Sequence, residues 1–328
     1  MAEWKKSAAA RHIPMPILSF PGIRLTGVTV SELVASGKKQ AECMKAVADR
    51  FKPLASVSLM DLSAEAQAFG SPVRFSGDEV PTVTGSLVKS ENDSDKLKVP
   101  KPGAARTGEF VTAIREAKKL ITDIPVFAGS IGPFSLAARL TDMTEIMIMC
   151  YEDPDLVHGV LEKATEFIIS YEAALRSAGA DGIIMAEPAA GLLSAGLLAE
   201  FSTPYVKRII EATETDECAV IYHNCGRVLP LISGILETGA SALHFGNATD
   251  LSEILPLIPP ERLALGNVDP AGVFLSGTPR SVREATLSLL EKCAKYPNFI
   301  LSSGCDIPPS APLENIDAFF GAAADFYR

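Results

Sequence analysis

Eight short apolar runs, separated by longer stretches with a helical repeat, set the narrowest limit on what this chain can become. The runs cover residues 15–20, 57–62, 124–130, 181–187, 218–224, 242–247, 263–268 and 299–304. Each has the length of a strand. Between them, "VSELVASGKKQAECMKAVADRF" and "DPDLVHGVLEKATEFIISYEAALRSAG" carry apolar residues at three- and four-residue steps, the helical period. In the second, Asp153 reads as an N-cap, Pro154 as a first-turn residue and Gly179 as a stop. A third such stretch, "TPRSVREATLSLLEKCAKYP", ends at Pro297.

Strands alternating with helices give a parallel β/α arrangement. Eight is the number that closes a barrel, so the expected fold is α/β, a (β/α)8 TIM barrel, as one domain over residues 1–328. An open doubly wound sheet has the same alternation. The barrel is favoured because the chemically informative residues follow several different strands rather than one crevice. Residues 63–103, after the second expected strand, exceed a minimal barrel and are rich in Ser, Asp, Lys and Pro. Such an insertion reads either as a lid over the strand ends or as a surface excursion.

Composition narrows the function. Hydrophobic residues make up 47% and charged ones 21%, enough for a large core. The net charge is −10 and the pI near 5.0, which argues against a general nucleic-acid binder with a basic face. The opening "MAEWKKSAAARHIPMP" has early charge and no apolar core of a secretory signal, and no run reaches the length of a membrane helix. A cytoplasmic location and no membrane partner are expected. Six cysteines in such a chain read as thiols or metal ligands rather than disulfides.

Three of the soft donors fall at the ends of expected strands: His223 and Cys225 in "VIYHNCG" and Cys305 in "LSSGCDIPP". On an extended segment, positions i and i+2 face the same side, so His223 and Cys225 can address one metal. One imidazole and two thiolates are ligands that a catalytic zinc takes, with a fourth position left open. The competing reading is that these are buried free cysteines packed like small hydrophobes. Cys43, Cys150, Cys218 and Cys293 sit in apolar patterns and read as core or helix-face thiols.

Glu187 closes the run "IIMAE" ahead of Pro188. It reads as a displaceable fourth zinc ligand, as a proton acceptor for an incoming thiol, or as a helix cap or salt-bridge partner. Asn247, Asn267 and Asp269 lie at strand ends and are the expected cofactor-binding groups; Asp61 joins them as a site-lining group. His244 lies inside its run and faces either the core or the helices.

Taken in order, "FPGIRLTGVTVSELV", "DLSAEAQAFGSPVRFSGDEVP", "GPFSLAARL", "YHNCG", "HFGN", "GNVDP" and "SSGCDIPPSAPLENI" give the chain a marked likeness. It resembles the uroporphyrinogen decarboxylase superfamily, and within it the zinc-dependent corrinoid:coenzyme M methyltransferases. The resemblance implies a zinc site on His223, Cys225 and Cys305. It also implies a methylated corrinoid as methyl donor, carried by a separate corrinoid protein, and a small thiol such as coenzyme M as acceptor. Tetrahydrofolate or homocysteine are the alternative acceptors. Porphyrin decarboxylation fits less well: the arginine-rich segment of that branch reads here "SFPGIRLTG", with Arg24 alone. A barrel with a closed structural zinc, acting as a binding module, would need a fourth tight ligand.

Overall fold

The structure, a computed structural model, describes residues 1–328. Its strands, in chain order, are β1 (Ser56–Val57), β2 (Val73–Arg74), β3 (Thr82–Val83), β4 (Val126–Ile131), β5 (Gly182–Ala186), β6 (Ala219–Asn224), β7 (Ala242–Phe245), β8 (Leu263–Val268) and β9 (Phe299–Ser303). All but β2 and β3 form one seven-stranded sheet in the order β1-β4-β5-β6-β7-β8-β9, every neighbouring pair parallel. Sheet order follows chain order, as right-handed β/α crossovers produce. The six strands from β4 to β9, apart from the hairpin, are buried at every residue, which is why they read as near-continuous apolar runs.

Side chains alternate between two cores. Val57, Phe127, Ile184, Ile221, Leu265 and Ile300 meet on the inner face with Met15 and Ile17. Their sequence neighbours Val126, Ile183, Val220, Leu243, Ala264 and Leu301 pack outward, beneath the helices. Trp4, from the helix Ala2–Ser7, fills the inner core near the strand starts, its ring 5.3 Å from that of Phe127. The interior is therefore packed, and each fully buried Ile or Leu contributes about 1.5–3 kcal/mol.

The expected first strand, 15–20, does not form. Pro14 and Pro16 have no N–H to give to a ladder. The segment still lies between the two edges of the sheet. Leu54 N–H, just before β1, donates to Pro14 O at 2.9 Å, and Met15 N–H donates to Leu301 O of β9 at 2.9 Å. One segment reaches both edges only if the sheet curls on itself. A proline-broken strap thus stands where an eighth strand was expected.

The helices form where capping chemistry allows. Asp153 accepts from Leu156 N–H at 3.2 Å and opens the helix Pro154–Ser177, and Gly179 follows its end at φ +108°. Thr278 and Ser281 exchange bonds in a capping box ahead of the helix Pro279–Cys293. Residues 63–103 hold the helix Ala64–Ala68, the antiparallel β2-β3 pair and the helix Glu91–Lys96. They are tied down at several points: Leu87 and Val88 N–H both donate to Leu140 O, at 2.8 and 3.0 Å, and Lys163 Nζ donates to Ser94 O. Among the described residues, no helix is long and apolar enough to cross a membrane.

Candidate metal centre

β6 delivers His223 and, one residue past its end, Cys225; the loop after β9 delivers Cys305. His223 shares the inward parity of Ala219 and Ile221, which lie in the inner core. Two glycines let the loops converge. A side chain on Gly246 would lie 2.5 Å from Cys225 Cα, and one on Gly304 would lie 2.8 Å from Asn247 N. Asn224 fixes the turn between the two β6 donors: its Oδ1 accepts from Gly226 N–H at 2.9 Å and its Nδ2 donates to Glu187 O at 3.1 Å.

One donor atom each from His223, Cys225 and Cys305 falls within 4.8 Å of the others, and His223 Nε2 lies 3.5 Å from Cys305 Sγ. Zinc bonds of about 2.0–2.3 Å place tetrahedral donors roughly 3.4–3.8 Å apart, so this set fits a zinc ion with modest closure. His223 is buried, while Cys225 and Cys305 are part-exposed. Cys225 ionises far below the usual thiol range because Cys305 hydrogen-bonds to it and His223 adds to the effect. Cys305 is pushed upward by the thiolate beside it and by burial. On the far side of the ring, His223 Nδ1 lies 2.8 Å from His244 Nδ1, and His244 Nε2 lies 2.8 Å from Ser302 Oγ.

Beside these donors opens a cleft of about 330 Å³, including the space where it meets solvent. Ile17, Met60, Leu62, Ala186 and Pro188 wall it, and Asp306 is its carboxylate. Among the described residues, no lysine or arginine lines it. Asp306 Oδ2 accepts from the Ser19 hydroxyl at 2.8 Å, and Oδ1 is buried without a partner. Burial pushes the Asp306 carboxyl up to about 7, against the opposing bond from Ser19.

Glu187 does not join the centre. Its carboxylate is fully buried and occupied at the start of the helix Pro133–Thr141, where it accepts from Ser135 N–H at 2.6 Å, Ser135 Oγ at 2.7 Å and Phe134 N–H at 3.2 Å. The helix-cap reading is the one this geometry supports, and the ligand reading is corrected. The reason is parity: Ile184 faces the inner core, so Glu187, three residues on, leaves the opposite face of the strand. Burial pushes its carboxyl up to about 7, with the Ser135 bonds opposing.

The expected cofactor-binding groups divide. Asn267 is spent on bracing the β7 loop, its Nδ2 donating to Gly246 O at 3.0 Å and Thr249 O at 2.8 Å. Asp269 caps the turn Pro270–Leu275 through Ala271 and Gly272 N–H, both at 2.9 Å. These bonds leave Asn267 Oδ1 and Asp269 Oδ2 untaken. Asn247 is exposed at the mouth beside Gly304. Asp61 is held in a buried ion pair with Arg106, which also bonds Gln67 and Ser63.

The sequence reading missed Asp306, Ser302 and the inward orientation of His244. The signal for His244 was present: Ala242, two residues earlier, faces the inner core. Asp306 follows Cys305 directly, and nothing in its spacing marks it as buried.

Comparison with known proteins adds family context to this geometry. The family model described as "Uroporphyrinogen decarboxylase (URO-D)" matches residues 17–326. The "Methylcobamide:CoM methyltransferase MtbA" of Methanosarcina acetivorans is 26% identical over 327 residues, covering 95% of this chain and 94% of that protein. The uroporphyrinogen decarboxylase of Coxiella burnetii is 28% identical over 296 residues, covering 84% and 78%. A solved methyltransferase from Methanosarcina mazei superposes with a TM-score of 0.87 at 23% identity, covering 100% of this chain and 99% of its own, which speaks to the fold alone.

Proposed function

The chain belongs to the uroporphyrinogen decarboxylase family, and within it we propose a zinc-dependent methyltransferase that moves a methyl group from a protein-bound methylated corrinoid to a small thiol of the coenzyme M kind. The observation that carries this is the convergence of His223, Cys225 and Cys305 on one point beside a small apolar cleft. Relatives of similar identity carry both branch names, so identity alone does not choose between them. The soft donor set of His223, Cys225 and Cys305 favours the methyltransferase branch. Among the described residues, a substrate bearing many carboxylates finds no lysine or arginine in the cleft lining, and a sulfonate thiol would place its anionic tail outside that lining.

Three ligands from the chain leave room for a fourth, which suits a substrate rather than a structural role. When bound, zinc would supply the positive charge that ionises a thiol at neutral pH, since a free alkyl thiol is mostly protonated there. The Cys225 and Cys305 thiolates and the neutral His223 imidazole would offset that charge and so leave an acceptor sulfur electron-rich. Ile17, Met60 and Leu62 keep water from the sulfur and hold the acceptor's carbon chain. The sulfur then attacks the methyl carbon, the sulfur–carbon bond forms as the carbon–cobalt bond breaks, and the electron pair of that bond stays on cobalt. The thiol proton leaves to solvent.

The enclosed part of this cleft, about 70 Å³, lies well below ordinary ligand pockets and does not enclose a tetrapyrrole. The corrinoid is therefore presented at the mouth by its carrier protein, in line with the acceptor sulfur. The test is product analysis. Zinc-loaded protein, methylcobalamin and a panel of coenzyme M, 2-mercaptoethanol, homocysteine and tetrahydrofolate are incubated, and methylated products are identified by mass spectrometry. Methyl thioethers support the reading; methyltetrahydrofolate alone, or decarboxylated porphyrinogen in a parallel assay, overturns it.

A further inference from the structure

A hydrogen-bond chain behind His223 has only one consistent direction. It begins at Met15 O, a carbonyl that can only accept, so the Ser302 hydroxyl at 2.7 Å must donate its single proton there. Ser302 Oγ is then left as an acceptor toward His244 Nε2 at 2.8 Å, and that nitrogen carries a proton. His244 is 1% exposed with no carboxylate bonded to it, and an unpaired charge at such a site is costly, so the ring is neutral. Its Nδ1 is therefore a lone pair. His223 Nδ1, 2.8 Å away, must be the donor. In the neutral imidazole that a metal takes, His223 Nε2 then carries the lone pair and points at the thiols, 3.5 Å from Cys305 Sγ.

We infer that His244 and Ser302 are positioning residues that lock His223 in the Nδ1-protonated form, with Nε2 free to bind metal beside Cys225 and Cys305. The lock is built into the fold. His223 and His244 are register partners across β6 and β7, and Ser302 sits on β9. The proline-broken strap supplies the terminal acceptor. Met15 spends its N–H on Leu301 O, while Pro16 offers no N–H, so the Met15 carbonyl is taken by Ser302 rather than by a ladder partner. An isolated neutral histidine prefers the other form, with the proton on Nε2, which would block the metal-facing nitrogen. The benefit to metal binding rests on the proposed zinc site; the tautomer does not.

The test separates the two. The chain has 4 histidines, so nitrogen-15-labelled histidine in zinc-free protein gives a small, assignable set of ring signals. A protonated Nδ1 and bare Nε2 on His223, with the reverse on His244, is the expected result. A proton on His223 Nε2 overturns the inference, whether or not zinc binds. In Ser302→Ala the His223 signals should shift to a mixture, and zinc affinity measured by chelator competition should fall about tenfold to a hundredfold. Ser302→Thr, which keeps the hydroxyl, should restore both readouts. Unchanged tautomers and affinity in Ser302→Ala would overturn the lock. A wild type with the expected tautomers but no zinc affinity would support the lock and sink the metal reading.

Discussion

Glu187 and His223 are bonded across neighbouring strands, Glu187 N–H to His223 O at 2.8 Å, yet their side chains leave the sheet in opposite directions. His223 enters the mouth; Glu187 holds the start of the helix Pro133–Thr141. Glu187→Gln should therefore act on stability and not on the thiol. An amide nitrogen in place of one oxygen faces a backbone donor, at a cost of about 1–3 kcal/mol. Urea unfolding should show that loss while the KM for the acceptor thiol stays within twofold. A raised KM with unchanged stability would return Glu187 to the site.

Glu172 gives a pH signature. It is fully buried, bonded to Ser130 Oγ at 2.6 Å and Thr213 Oγ1 at 2.7 Å, and burial lifts its carboxyl from 4.5 to about 7 against those two bonds. The folded state therefore keeps a proton that the unfolded state releases. Its stabilising share is full below about 4.5 and lost as pH rises through about 7. Within that window the slope from one such group approaches about 1.4 kcal/mol per pH unit. Glu172→Gln should flatten the decline, gaining on the wild type between pH 5 and pH 7.5 in urea unfolding. Parallel curves would show that Glu172 titrates normally.

Among the described residues, Asp306 is the one carboxylate that lines the cleft. At pH 8 it is largely ionised, given a carboxyl held near 7, and it opposes an anionic tail. Asp306→Asn should raise kcat/KM for a sulfonate thiol over that for 2-mercaptoethanol by about tenfold, the size of one charge contact at intermediate dielectric. The ratio of the two thiols is the readout, since it cancels any general damage next to Cys305. An unchanged ratio would mean the tail lies elsewhere.

Much of the sheet was legible because strands buried on both faces leave long apolar runs; seven of the eight runs became strands. The exception, 15–20, was apolar enough, but Pro14 and Pro16 removed its donors, and only the tertiary bonds to Leu54 and Leu301 show where it lies. The three candidate donors were legible as soft side chains at strand ends. Glu187 was misread because closeness to a strand end was weighed above parity. Asn267 and Asp269 each brace a loop with one polar atom, a role whose backbone partners are invisible in a sequence. His244 shows the converse: a histidine in an apolar run turned out to face His223 from behind.

The central claim is that His223, Cys225 and Cys305 hold a zinc that makes a thiol methylatable. The most direct measurement is the absorbance of methylcobalamin mixed with the purified chain and a thiol, with and without zinc, beside His223→Ala. Loss of the methylcobalt signal that requires zinc, with release of reduced cobalt and near-complete absence in His223→Ala, is the predicted result. Loss at equal rate in the zinc-free protein or in His223→Ala would contradict it.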